Sequence, residues 1–263
     1  IKHSVGIDRS KRDILMKGQC FMEKIYTIPV NEAFEASAAD PACGCPFCAL
    51  YSKLEENELD LILGASMMEP DVRIKTNELG FCKTHYDMMF TRKNRLGLAL
   101  MLESHLNELR REVDSGGLSL MKSPGTDQMK RLERLEHDCY VCGRIEFSLS
   151  KMFETAVLLW ERDPEFRKKL SAQPYICLVH YRKYIEFGRR ALPKKLFSEF
   201  YREVSGVVLS YFDTLREDVS WFCKKFDYRY NDEPWYNSKD AVERAIKFLS
   251  GSGQATPAGE VKG

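Results

Sequence analysis

The chain is expected to be all-α, and three observations carry that expectation. Apolar residues recur at steps of three and four over long stretches, as in Ile145, Leu149, Met152, Phe153, Ala156 and Trp160. Alternating β-branched and aromatic runs, the mark of half-buried strands, are nearly absent. One arrangement of cysteines and histidine also occurs twice, at the length of a helical repeat.

The first copy is Cys45-Pro46-Phe47-Cys48, followed by Cys82-Lys83-Thr84-His85. The second is Cys139-Tyr140-Val141-Cys142, followed by Cys177-Leu178-Val179-His180. Cys139 stands 94 positions after Cys45, and Asp163-Pro164-Glu165-Phe166-Arg167 matches Glu69-Pro70-Asp71-Val72-Arg73 at that offset. Beyond the proline segment the offset is 95, for Cys177, His180 and Tyr181 against Cys82, His85 and Tyr86. A duplication with one inserted residue accounts for the pattern.

Each copy offers three thiols and one imidazole, the set of a closed tetrahedral zinc site. The expected sites are Cys45, Cys48, Cys82 and His85 in one half, and Cys139, Cys142, Cys177 and His180 in the other. Each would tie a knuckle to the start of a distant helix, giving two Zn²⁺ per chain. Disulfides, a thioredoxin-like redox pair and an iron–sulfur cluster are the competing readings of the same residues. A histidine in register with the last cysteine of each copy favours zinc over the first two.

Five segments are expected. Residues 1–21 read as a non-native or disordered extension, 22–120 as the first zinc-binding helical repeat and 121–226 as the second. Residues 227–250 read as a C-terminal segment and helix packed on the body, and 251–263 as a flexible tail. The chain has 40 Lys and Arg against 39 Asp and Glu; without the first 21 residues these become 35 and 37, a net charge of −2. That balance argues against a general nucleic-acid binder. No apolar run approaches the roughly 20 residues of a membrane helix. Nine cysteines without an export signal point to a reducing, cytoplasmic setting.

Taken in order, Tyr26 to Val30 reads as an extended lead-in and Asn31 as the cap of a short helix through Ser37. Pro46 suits the first position of a helix to Leu63, with Phe47, Leu50, Tyr51, Leu54, Leu61 and Ile62 inward. Glu55, Glu56, Glu58 and Asp60 read as its solvated face. Gly64 to Met68 turns the chain, and Pro70 opens a helix to about Asn77. Cys82 and His85 begin a long helix ending near Val113, on which His105 reads as structural or surface.

Asp114 to Gly125, rich in Gly, Ser and Pro, is the expected connection between repeats. Thr126 caps a helix to His137, which reads as a helix-end residue. The Ile145 to Trp160 helix follows Cys142, and Pro164 restarts the chain. A helix runs from His180 to Arg190, and a further one from Pro193 carries Leu196, Phe200, Val204, Val207, Tyr211, Leu215, Val219 and Phe222. Arg189, Arg190, Lys194 and Lys195 read as solvated charges. Cys43 reads as a free thiol that could replace Cys45, and Cys223 as buried. Tyr228, Tyr230, Trp235 and Tyr236 are expected to pack back onto the helices, or else to line a cleft. Ser238 caps a last helix with Val242, Ala245, Ile246 and Leu249 inward.

No Walker loop, dinucleotide fingerprint, nucleophile elbow or His-Glu-x-x-His occurs. The paired ligand motifs, the duplication and the segment from Lys225-Phe226-Asp227-Tyr228-Arg229 to Pro234-Trp235 resemble an uncharacterised bacterial family known only as a domain of unknown function. The resemblance covers Met22 to Leu249 and implies no activity. The leading functional expectation is a non-catalytic, zinc-stabilised protein that binds an unknown protein partner. A redox- or metal-responsive sensor, a nucleic-acid binder and an enzyme with a pocket between the repeats stay open as alternatives.

Overall fold

A computed structural model describes residues 25–114 and 126–252, with the side chains of 126–128 left aside. The expected N-terminal extension, most of the inter-repeat connection and nearly all of the tail lie outside the described residues.

The described chain is helical, with no strand. In order the helices are α1 (25–39), α2 (Pro46–Leu63), α3 (Pro70–Leu79), α4 (Lys83–Thr91), α5 (Arg95–Asp114) and α6 (Thr126–His137). Then come α7 (Tyr140–Arg162), α8 (Pro164–Ser171), α9 (Leu178–Ala191), α10 (Lys194–Lys224) and α11 (Ala241–Ser250). The matched Glu69-Pro70 and Asp163-Pro164 pairs both start helices. Proline sits where no amide donor is needed, and the Asp163 carboxylate accepts from the Glu165 N–H at 2.9 Å.

Among the described residues, two compact units cut across the sequence repeats: residues 25–50 with 150–252, and residues 51–114 with 126–149. The core of the first is aromatic. Phe47 stacks on Phe153 at 4.2 Å between ring centres, and Phe34 meets Phe166 at 4.7 Å. Tyr184 and Trp160 meet Phe200 edge-on at 4.8 and 5.0 Å. Gly188 lets α10 come this close, since a Cβ there would lie 2.3 Å from the Phe200 ring.

The second unit buries Leu59, Ile62, Met89, Leu98 and Ile145. A polar network joins α3 to its neighbours: Arg73 donates to Ser104 Oγ at 3.1 Å, Ser104 to Asn77 Oδ1 at 3.0 Å, and Arg131 to the Asn77 carbonyl at 2.8 Å. His105 also bonds that carbonyl, at 3.0 Å, a structural role as expected.

Several expectations are corrected. Residues 26–30 are helical, not extended, because Val30, Phe34 and Ser37 form one buried stripe whose packing outweighs the bond lost at Pro29. Asn31 lies inside that helix, donating to the Thr27 carbonyl at 3.1 Å. The helix expected from Cys82 to Val113 is two, because the Asn94 side chain caps α5 by accepting from the Gly97 N–H at 2.9 Å.

Leu61 is exposed and Leu59 and Leu63 are buried in its stead, while Glu55 and Glu58 are buried. Cys223 is exposed. The cap of α11 is Asp240, and Ser238 instead donates to the Trp235 carbonyl at 2.7 Å. The buried face of α11 carries Ala241 and Phe248, leaving Val242, Ile246 and Leu249 exposed. In the segment after α10, Trp235 packs on Phe222 at 5.8 Å and Tyr230 on Trp221 at 5.8 Å. Tyr228 and Tyr236 stay exposed. The Lys225 ammonium anchors the segment, donating to the carbonyls of Tyr230, Asn231 and Glu233 at 2.6, 3.0 and 2.6 Å.

Candidate metal centres

The eight ligand candidates gather into two groups of four, each with ligand atoms within 4.8 Å of one another. The pairing is crossed relative to expectation. Cys45 and Cys48 meet Cys177 and His180, and Cys139 and Cys142 meet Cys82 and His85. Helix length gives the reason. At about 1.5 Å per residue, α2 carries the chain roughly 27 Å from its own knuckle, and the ten residues of α3 span only roughly 15 Å, too short to bring it back. Each Cys-x-x-His therefore closes on the other repeat's Cys-x-x-Cys.

All four contributing segments sit at helix N-termini. Cys82 and Cys177 occupy the cap positions of α4 and α9, with extended backbone and no cap bond from their own side chains. Cys45 and Cys139 immediately precede α2 and α7 as their chains turn in, the N–H groups of Cys48 and Gly143 bonding back to their carbonyls at 3.0 Å. Each cluster thus faces the positive ends of two helices, which favour thiolate.

The geometry fits a tetrahedral ion. In both clusters the histidine turns Nδ1 to the sulfurs. His180 Nδ1 lies 3.7, 3.4 and 3.2 Å from Cys45, Cys48 and Cys177, and His85 Nδ1 lies 3.2, 3.3 and 3.4 Å from Cys82, Cys139 and Cys142. The Cys48–Cys177 and Cys82–Cys142 sulfurs are 3.7 and 3.9 Å apart. Zinc bonds of about 2.3 Å to sulfur and about 2.0–2.1 Å to nitrogen give tetrahedron edges of roughly 3.8 Å between sulfurs and roughly 3.6 Å from sulfur to nitrogen. The residues present therefore fit a zinc ion. The eight described cysteines are free thiols, and Cys43 is exposed outside both groups.

The surroundings of the clusters differ. His180 is fully buried against the rings of Phe47 and Phe153, each 5.9 Å away. His85 instead faces a carboxylate: its Nε2 lies 3.1 Å from Glu55 Oε1, with both side chains nearly excluded from solvent. A carboxylate on the far nitrogen fixes the tautomer that leaves Nδ1 free to ligate. Nearby, Glu58 pairs with Arg144 at 3.4 Å. The acidic stretch read as a solvated face thus supplies the partner of a candidate ligand. Its signal was helical spacing, since Tyr51, Glu55, Glu58, Leu59 and Ile62 lie on one stripe. The residue 94 positions after Glu55 is Leu149, so the duplication does not repeat this pair.

Without an ion, each cluster holds its negative charge unevenly. Hydrogen bonds from Cys177 and Cys45 hold the Cys48 thiol far below its ordinary value, while burial pushes Cys45 well up. In the other cluster the bond from Cys142 brings Cys139 down to about 3, and that same bond raises Cys142 strongly. Burial opposes a charged His85, but the Cys139 thiolate and Glu55 outweigh it and raise the imidazole to about 10. An ion that gathers all three thiolates and a neutral imidazole must displace the remaining protons.

Outside the clusters, Tyr236 lines an open hollow of about 520 Å³ with Trp221, Arg216 and Lys224. No helix among the described residues is long and apolar enough to cross a membrane. A family model described as a family of unknown function matches residues 21–256. Neither the curated proteins nor the solved structures contain a match to the chain.

Proposed function

The chain belongs to the family of unknown function DUF6062, and from that premise we propose that it is a non-catalytic helical protein stabilised by two structural Zn²⁺ ions. One observation carries the reading. Each cluster presents three sulfurs and one nitrogen at tetrahedral spacing, which fills the coordination sphere of zinc and leaves no position for a reacting water. Cys45, Cys48, Cys177 and His180 would hold one ion, and Cys82, His85, Cys139 and Cys142 the other. By analogy with zinc-finger peptides, each ion would add on the order of 10–16 kcal/mol of folding free energy.

Action through a protein partner fits the exposed apolar residues Leu209, Phe212, Ile246 and Leu249. A reducing, cytoplasmic setting fits free thiols in this number.

Elemental analysis of protein purified without added metal tests the proposal. Two zinc ions per chain are expected, with a large fall in melting temperature and denaturant midpoint when a strong chelator removes them. Iron with visible absorbance, or metal-free protein that melts normally, would overturn it.

A further inference from the structure

Resting on the zinc reading above, we infer that the two sites have different tasks: the Cys82–His85–Cys139–Cys142 site is a reversible, peroxide-responsive site, whereas the Cys45–Cys48–Cys177–His180 site is permanently loaded. Exposure separates them. In the latter, Cys45, Cys48, Cys177 and His180 are 1, 5, 0 and 0 % exposed. The rings of Phe47 and Phe153 cover His180, and the Ser252 N–H reaches Cys48 Sγ at 3.3 Å. In the former, Cys82 and Cys142 are only half-buried, and their sulfurs are neighbours 3.9 Å apart. An oxidant therefore meets two adjacent thiolates at one site and none at the other, and oxidation follows thiolate access.

The step balances with hydrogen peroxide as oxidant. One rim thiolate attacks a peroxide oxygen, the O–O bond breaks, and a sulfenic acid and hydroxide form. The second rim thiolate attacks the sulfenic sulfur, an S–S bond replaces the S–O bond, and a second hydroxide leaves. Two electrons pass from sulfur to peroxide, and two solvent protons complete two waters. The ion keeps only Cys139 and His85 as ligands and dissociates. Glu55 still holds the His85 ring by Nε2, so Nδ1 keeps its aim and a thiol reductant with fresh zinc reloads the site.

The test uses the full chain, shown first by elemental analysis to hold two zinc ions. Peroxide is added with a chromophoric zinc chelator, and the cysteines are then mapped by alkylation and peptide mass spectrometry. Half of the bound zinc is expected to be released, with a Cys82–Cys142 disulfide, intact thiols at Cys45, Cys48 and Cys177, and full recovery on adding reductant and zinc. Because Cys43 and Cys223 are exposed thiols, the Cys43→Ser/Cys223→Ser variant is run alongside and is expected to respond identically. Release of both ions together, retention of both, a different disulfide, or dependence on Cys43 or Cys223 would overturn the inference alone. A starting protein without zinc overturns the zinc reading on which it rests.

Discussion

Glu55 stands where charge density and helical register disagree. Four acids within six residues suggest a solvated face, yet register places Glu55 and Glu58 among Leu59 and Ile62, and burial follows register. The partner of Glu55, His85, is 30 residues away in sequence, so nothing local announced the pair. Glu55→Leu, which copies Leu149 of the other repeat, leaves His85 without its carboxylate. It should weaken zinc at that cluster by about 10–100-fold and leave the other cluster unchanged, as read by competition with a chromophoric chelator. The same residues set a pH dependence in the chelated protein. Cys139, lowered from 9.0 to about 3, gives stability that is complete above pH 9 and lost as pH falls through 3. His85, raised from 6.5 to about 10, gives stability that is complete below pH 6.5 and lost as pH rises through 10. With Cys48 lowered as well, chelated protein should gain stability from pH 3 to 6.5, gain it more slowly to about pH 9 as His85 offsets part of the rise, and lose stability beyond, where Cys142 also holds its proton in the folded state only. Denaturant midpoints taken across that range check the profile.

At the scale of elements, most of the helices were legible because proline and apolar periodicity agree. Pro46, Pro70 and Pro164 each begin a helix, and all eight residues assigned to the inner face of α10 are at least half-buried. The misreadings share one cause: a local preference yielding to packing or to a cap. Tyr26 to Val30 read as extended chain, and the stripe of Val30, Phe34 and Ser37 made it helix. On α11 the apolar residues outnumber one face, and Phe248 decides which side turns in by meeting Tyr211 at 5.3 Å and Phe212 at 5.6 Å. Helices α9 and α10 offer a contrast between two glycines. Gly188→Ala forces a Cβ against the Phe200 ring and should cost about 1–3 kcal/mol by overpacking. Gly206→Ala meets nothing within 4 Å on an exposed helical surface and should add about 0.5–1 kcal/mol. Urea denaturation of both variants should move the midpoint in opposite directions.

For the molecule as a whole, the ligands were legible and their partners were not. Sequence distance favours joining Cys48 to Cys82, 34 positions on, over joining it to His180, 132 positions on. Loop closure grows so slowly with length that this difference is worth only roughly 1 kcal/mol, small beside the about 10–16 kcal/mol of a structural zinc site. Proximity in sequence was thus a weak guide, and the lengths of α2 and α7 were the better one. The crossed pairing makes a prediction that the uncrossed one contradicts. Replacing Cys177 by Ser removes a ligand from the cluster of Cys45 and Cys48, although Cys177 belongs to the sequence repeat of Cys139 and Cys142. In Cys177→Ser protein, Cys45 and Cys48 should become open to alkylation while Cys139, Cys142 and Cys82 stay protected, and the zinc content should fall from two to one. Replacing Cys82 by Ser should do the reverse, opening Cys139 and Cys142 and sparing Cys45 and Cys48. If Cys177→Ser instead opened Cys139 and Cys142, each repeat would close its own site and the arrangement described above would be wrong.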